Sequence, residues 1–215
     1  MKSGALAIVS IIFVLAVESR AGMLKKSGIM IGYNSTHINA KEISNFALPR
    51  SGYGMGLYAE WMDRSIFSLL SQLEYVQRGF IQEQIETDDD GSFIQRVRAK
   101  SRLNYITFPF LLKIQPVKLA VSPYFVAGPR FDFLIFRENG RFEFSKTTLE
   151  SRVAENFDDF GLGFVLGGGV TTAKIFHTQL SFELDFNLDI TNSFSKVGTM
   201  TVRKNALDFW LKIAL

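Results

Sequence analysis

The sequence predicts an all-β protein, an eight-stranded antiparallel up-and-down transmembrane β-barrel. Three observations support this prediction: strict alternation of polar and apolar residues, segments longer than ordinary globular strands, and connections that alternate between long and short. The clearest segment is 179–190, Q-L-S-F-E-L-D-F-N-L-D-I, in which every even position is apolar and every odd position is polar. Successive side chains of a strand point to opposite faces, so this segment separates two unlike solvents. At about 3.3 Å per residue it is long enough to cross a bilayer with a tilt.

The first 21 residues are predicted to be an export signal. Lys2 supplies the charged start, residues 5–17 the apolar core, and Ser19-Arg20-Ala21 the small residues at the cleavage positions. A membrane anchor is the alternative, but the apolar run is shorter than the roughly 20 residues that a spanning helix needs. Residues 22–215 then form one barrel domain, and the lack of cysteine excludes a disulfide framework and a thiolate metal site.

Three strands are predicted in the first part of the barrel domain. Residues 28–39 form the first strand and residues 51–62 the second. A tight turn at Asp63-Arg64-Ser65 leads into the third strand, residues 66–81. One face of the second strand is rich in glycine, at Gly52, Gly54 and Gly56.

Five more strands follow. They are predicted at residues 97–114, 118–136, 157–171, 179–190 and 203–215. The sixth again has a glycine face, formed by Gly161, Gly163, Gly167 and Gly169. Long polar passages, such as 82–96 and 137–156, alternate with short turns, such as 115–117. An outer-membrane barrel has this pattern, with an even number of strands, short periplasmic turns and longer external loops.

Alternation alone does not say which face points outward, because a soluble lipocalin-like barrel alternates as well. The glycine faces favour the membrane barrel. Glycine on a solvated exterior would weaken a strand, whereas inside a narrow barrel it makes room for bulky polar side chains from other strands. The side chains expected to fill this lumen as a structural charge network are Glu60, Glu74, Arg78, Arg130, Asp132, Glu183, Asp185 and Lys212.

Three prolines fall within the predicted strands, at Pro109, Pro123 and Pro129. Proline lacks the backbone donor of a sheet ladder. We therefore expect each of them at a bulge or at a strand boundary.

Several runs of residues resemble a known family. They are Y-I-T-F-P-F-L-L-K at 105–113, P-Y-F-V-A-G-P at 123–129, F-G-L-G at 160–163 with G-G-G at 167–169, and E-L-D-F at 183–186 with Thr191-Asn192. In this order they resemble the outer-membrane beta-barrel domain family that includes PorT-like proteins. The resemblance implies an eight-stranded barrel in the outer membrane of a Gram-negative cell. It also implies that the strand prolines are a family feature, while the final Leu215 departs from the aromatic residue that usually ends such barrels.

The residues give little support for catalysis. His37 and His177 are the only histidines, and the predicted topology places them at opposite rims, so no Ser-His-acid arrangement is indicated. The run Asp88-Asp89-Asp90-Gly91-Ser92 lacks the closing glutamate of a calcium loop and predicts a solvated turn with Gly91 at the tight position. The formal net charge is +3 with interleaved signs, so no basic stripe for nucleic acid is indicated.

Two functional classes remain. The first is a structural or interaction protein of the cell envelope, a plugged barrel whose loops or rim contact envelope or secretion partners. The second is a porin-like barrel that passes protons, ions or small solutes through a polar lumen. Neither class needs a cofactor, and the expected surroundings are outer-membrane lipids. PorT itself is associated with protein secretion, and that role is not carried over to this chain.

Overall fold

The computed structural model describes residues 24–40, 47–64, 66–88, 90–117, 119–145, 147–172, 178–193 and 202–215. The predicted export signal and His177 lie outside these residues. Among the described residues, no helix has the length and apolar character needed to cross a membrane.

Eight long strands form a closed antiparallel ring in the order β1-β10-β9-β8-β5-β4-β3-β2. The strands of the ring are β1 (Leu24–Ala40), β2 (Ala47–Arg64), β3 (Phe67–Thr87), β4 (Phe93–Ile114), β5 (Val121–Glu138), β8 (Phe160–Thr172), β9 (Gln179–Asp189) and β10 (Val202–Ala214). Each strand pairs with its neighbours along the chain, and β1 closes the ring against β10 from Gly28↔Ala214 to Ala40↔Val202. The predicted fold class is confirmed.

The β3–β4 hairpin is longer than the sequence predicts. Residues 82–96 were expected to form a loop, but β3 continues to Thr87 and β4 begins at Phe93. The two strands pair in one register from Glu74↔Thr107 to Glu86↔Gln95. Polar residues occupy both faces of this extension, so alternation does not reveal it. The turn between the strands is the predicted one, with Gly91 at a φ of 80°.

The connection between β5 and β8, also predicted as a loop, contains three short elements. A small hairpin is formed by β6 (Arg141–Glu143) and β7 (Thr148–Glu150), and a 3₁₀ turn follows at Val153–Asn156. We call the end of the barrel that carries this connection and the long β3–β4 hairpin the loop end. The opposite end, with the β2–β3 and β4–β5 connections, is the turn end.

The three prolines were expected at bulges or strand boundaries, and this expectation is wrong, because all three lie inside strands without a bulge. Pro109 lies inside β4, where the ladder to β5 skips from Pro109↔Arg130 to Leu112↔Ala127 without a change of register. Pro123 and Pro129 lie inside β5, paired in register with β8. The β4–β5 bulge instead falls between Asn104 and Tyr105. The strands therefore tolerate the missing backbone N–H donor of proline, at the cost of a few local ladder pairs at most.

The apolar faces point outward. On β9, Phe182, Leu184 and Phe186 are 53%, 43% and 44% exposed, while Glu183 and Asp185 between them are buried. Exposed large apolar side chains recur on the other strands of the ring, for example Phe125 on β5 and Phe209 on β10. A soluble barrel would have its apolar side chains inside. This polarity therefore excludes the lipocalin-like alternative.

The glycine faces make room for lumen side chains, as predicted. Trp210 of β10 lies opposite Gly32 of β1, which in turn lies opposite Gly54 of β2. A Cβ at Gly54 would be 2.6 Å from Trp210 Cη2 and 3.1 Å from Val76 Cγ1. The indole ring thus crosses two glycine positions, and a side chain at either of them would overlap it.

Gly54→Ala tests this close packing. Because the ring is held over both glycines, the added methyl group should lower the free energy of unfolding by about 1–3 kcal/mol. Gly161→Ala is the matched control, since a Cβ there meets its nearest atom, Asp132 Cβ, at 3.7 Å. The measurement is urea unfolding of refolded protein followed by heat-modifiable gel mobility. Equal unfolding midpoints for the two variants would contradict the packing described.

Candidate functional site: a charged and capped lumen

The structure places all the side chains of the predicted charge network inside the barrel. Each of these residues is at most 4% exposed; they are Glu60, Glu74, Arg78, Arg130, Asp132, Glu183, Asp185 and Lys212. They lie at alternate positions of their strands. Because the positions between them carry the apolar side chains that point outward, these residues point inward. Six of them form two clusters, one towards each end of the barrel, and Glu74 and Asp185 lie between the clusters.

Arg130 is the centre of the loop-end cluster. Its Nε and Nη2 donate to the two carboxylate oxygens of Asp132 at 2.8 and 2.7 Å. Nη2 also donates to Asp189 at 2.7 Å, and Nη1 donates to Asn187 at 2.5 Å. A Cβ at Gly163 would be only 2.7 Å from Nη2. The glycine on β8 therefore lets Arg130 reach across from β5 to the carboxylate on β9.

Two further cations balance this cluster. Arg78 lies 3.3 Å from Asp208 and 3.7 Å from Asp132. Lys204 lies 3.6 Å from Asp189 and donates to the hydroxyl of Tyr105 at 2.8 Å. Three cations thus face three carboxylates, which are Asp132, Asp189 and Asp208. Buried charges are tolerated when they are paired in this way.

The turn-end cluster is built around two lysine–glutamate pairs. Lys113 Nζ donates to Glu60 at 3.0 Å, and Ser68 donates to the same carboxylate at 2.8 Å. Lys212 Nζ donates to Glu183. Lys25 adds a partly exposed ion pair to Glu60 at 3.5 Å. These contacts tie β1, β3 and β4 to Glu60 of β2, and β10 to β9.

Polar side chains connect the two clusters. Thr107 donates to Glu74 at 2.7 Å. Gln72, with its amide in the orientation that suits both neighbours, donates to Glu74 at 2.7 Å and accepts from Lys212 Nζ at 2.6 Å. Asp185, on the same face of β9 as Glu183, points into this middle layer. The polar lumen therefore continues between the two ends.

The connection between β5 and β8 closes the loop end. Ala154 and Phe157, at the 3₁₀ turn, are fully buried. The Phe157 ring packs against Phe80, with centroids 5.7 Å apart, and lies 5.9 Å from Lys204 Nζ. Arg137 Nη2 donates a hydrogen bond to the backbone carbonyl of Phe157 at 2.7 Å. Phe157 thus forms an apolar lid directly above the loop-end cluster.

Sequence reasoning missed parts of this site. The network also contains Lys113, Lys204 and Asp208. These residues occupy inward-facing positions of β4 and β10, and that alternation could have identified them. The lid was missed because it lies in a polar passage. Its only signal in the sequence is the apolar Val153-Ala154 and Phe157 within charged surroundings.

The predicted rim histidine lies away from this network. His37 is exposed on β1 and pairs with Asn205 on β10. In the Asp88 turn, the Asp88 carboxylate accepts hydrogen bonds from the backbone N–H groups of Asp90 at 3.1 Å and Ser92 at 2.7 Å. Across the described ranges, no group of His, Asp and Glu side chains is arranged to hold a metal ion.

A closed ring with an apolar exterior and a charged, filled interior defines a transmembrane β-barrel. The model of the outer membrane protein beta-barrel domain family matches residues 26–195, and the chain belongs to that family. The protein is accordingly located in the cell outer membrane. The match does not distinguish the PorT-like members from the rest of the family. Since short turns face the periplasm in such barrels, the turn end is periplasmic and the loop end extracellular.

Solved structures with similar topology have little sequence in common with this chain. Ail of Yersinia pestis, crystallised with the heparin analogue sucrose octasulfate, is 12% identical, with a TM-score of 0.44 and coverage of 88% of this chain and 98% of Ail. Neisserial surface protein A is 12% identical, with a TM-score of 0.45 and coverage of 87% and 96%. The outer membrane enzyme PagL is 11% identical, with a TM-score of 0.36 and coverage of 84% and 97%. At these TM-scores the similarities carry no argument about function. Comparison with curated proteins finds no match.

Arg130→Gln tests the importance of the charge network. Removing the guanidinium leaves Asp132 and Asp189 without their main partner in a buried setting, so the free energy of unfolding should fall by about 3–5 kcal/mol. The control is Arg152→Gln, because Arg152 is exposed. Urea unfolding in the same lipid measures both variants. Equal stability of the two would show that the buried pairs do not support the barrel.

Proposed function

We propose that this protein is a structural or interaction protein of the cell envelope, an integral outer-membrane barrel rather than an open channel. The observation that carries the proposal is the filling of the lumen. The Arg130 cluster occupies the extracellular half, and Phe157 covers it with a fully buried ring. A barrel of this width is normally packed with side chains.

The periplasmic half supports the same proposal. The cavity between Glu60, Lys113, Tyr124, Glu183 and Lys212 has a volume of about 10 Å³. That is about the space that a single water molecule needs. Passage of a solute would require these paired side chains to separate.

Transport of ions or protons is the second candidate. It is favoured by the polar groups that continue through the lumen from Asp189 through Glu74 to Glu60. Charged groups inside a membrane protein can mark such a path. They can equally satisfy one another, and most of these side chains hold a partner on another strand, which supports the structural role.

The extended β3–β4 hairpin offers a surface for a protein partner. Ile85, Phe93 and Ile94, near its tip, are 61%, 61% and 45% exposed beyond the lipid-facing part of the barrel. Apolar side chains grouped in this way commonly mark an interaction site. The partner class that we propose is a protein of the cell envelope or of a secretion system. The proposal includes no catalysis and no cofactor, so turnover of a lipid or peptide substrate that is lost in His37→Ala would contradict it.

Planar-bilayer recording of the refolded protein tests the filled lumen. We expect no sustained open-channel current, because both ends are occupied by paired side chains. Phe157→Ser with Ala154→Ser should remove the lid and still give no sustained current, since the Arg130 cluster lies beneath it. Sustained single-channel currents from the unmodified protein would overturn the proposal in favour of transport. Currents from the lid variant alone would show that the lid, rather than the charge network, is the seal.

A further inference from the structure

A row of basic side chains runs along the outer face of β4 above the membrane. We call it the basic ladder, and it consists of Arg96, Arg98, Lys100 and Arg102. The side chains of Arg96, Arg98 and Arg102 are 64%, 57% and 39% exposed. The alternate residues between them, from Val97 to Leu103, are buried inside the hairpin and the barrel. The whole ladder therefore faces outward.

The ladder continues the lipid-facing side of the same strand. The β3–β4 register is unbroken from Glu74↔Thr107 to Glu86↔Gln95, so side-chain parity is kept along this part of β4. Ile106 and Phe108 consequently share the outward face with the ladder. Arg102 is the second outward position beyond Ile106, about 13 Å along the strand at about 3.3 Å per residue. The ladder thus begins near the level of the lipid headgroups and rises away from the bilayer.

Acidic neighbours only partly neutralise these cations. Glu83 lies 3.3 Å from Arg98 and 3.9 Å from Arg96, and Glu138 lies 3.4 Å from Arg102. Exposed ion pairs of this kind contribute little and exchange readily with solvent. A doubly charged phosphate that accepts two parallel hydrogen bonds from a guanidinium is a stronger partner.

A cleft beside the ladder provides room for a headgroup. It lies between β4 and the β6–β7 hairpin and has a volume of about 680 Å³. Its basic lining consists of Arg96, Arg98, Lys100 and Arg141, and its acidic lining consists of Glu138, Glu143 and Glu150. This volume falls within the range of ordinary small-molecule sites, about 300–1,000 Å³. A phosphorylated sugar is of suitable size for it, and the basic ladder forms one side of it.

We propose that the basic ladder binds the phosphate groups of glycolipid in the outer leaflet of the outer membrane. The continuity of the ladder with the lipid-facing surface selects a membrane lipid over a soluble anion, because the acyl chains of such a lipid would lie against Ile106 and Phe108. The cations at the lower end of the ladder, Arg102 and Lys100, would then face the phosphorylated sugar. This inference goes beyond the structural role proposed above and does not depend on whether the lumen conducts.

Binding of bisphosphorylated lipid A to the refolded full-length protein tests the proposal, measured by native mass spectrometry in detergent. Replacement of all four ladder residues by Gln should weaken binding about tenfold or more, since each cation near an anionic lipid surface contributes about fivefold. Glu83→Gln with Glu138→Gln should strengthen binding, because these carboxylates compete for the same cations. Arg152→Gln, which removes an exposed cation away from the ladder, should leave binding unchanged.

A twofold variant and a dephosphorylated lipid complete the test. Lys100→Gln with Arg102→Gln changes only the two ladder residues nearest the membrane, so it gives a result even if the fourfold variant does not fold. Fully dephosphorylated lipid A should bind the unmodified protein about tenfold more weakly or worse, as the fourfold variant does. The proposal fails if both ladder variants bind lipid A as the unmodified protein does, or if removal of the phosphates has no effect. Loss of binding to a soluble sulfated polysaccharide, with lipid A binding intact, would assign the ladder to a soluble polyanion instead.

Discussion

The closure of the sheet, in which β1 pairs with β10, is the constraint on which the rest of the structure depends. In a bilayer no water is available to satisfy a free strand edge, so the first and last strands of the ring must meet. Their ladder runs from Gly28↔Ala214 to Ala40↔Val202 and leaves no open edge between them. Closure divides every strand into one face towards lipid and one face towards a narrow lumen. The polarity of the whole molecule follows from this division.

A narrow lumen must hold the polar side chains that the exterior cannot. These charges are then buried and need partners, which they find both across the barrel and on their own strand. Arg130 joins Asp132 on its own strand to Asp189 on β9. Glycine makes such crossings possible, because Gly163 leaves space for the guanidinium group on the strand between them. Ion pairing and glycine placement are therefore two aspects of the same packing problem.

Much of this architecture could be predicted from the sequence, because period-two alternation reports directly on the two faces of a strand. It located the eight strands of the ring and identified inward residues such as Glu183 and Lys212. Alternation does not report which inward residues meet across the lumen, so the contact between Arg130 and Asp189 was not foreseen. It also fails above the membrane, where polar residues occur on both faces of the β3–β4 extension. The lid at Phe157 depends on tertiary contacts with Phe80, which local sequence does not encode.

Charged side chains face inward and apolar side chains face lipid, and single-site spin labelling tests this polarity most directly. The chain has no cysteine, so a label can be placed at one position at a time. Three positions on β9 sample both faces of one strand when they are labelled in turn as Leu184→Cys, Phe186→Cys and Asn187→Cys. The structure predicts that labels at 184 and 186 in lipid collide readily with oxygen and rarely with a water-soluble nickel reagent, whereas the label at 187 collides little with oxygen. Strong collision with oxygen at 187, with labels at 184 and 186 shielded from lipid, would contradict the inside-out polarity and the membrane barrel with it.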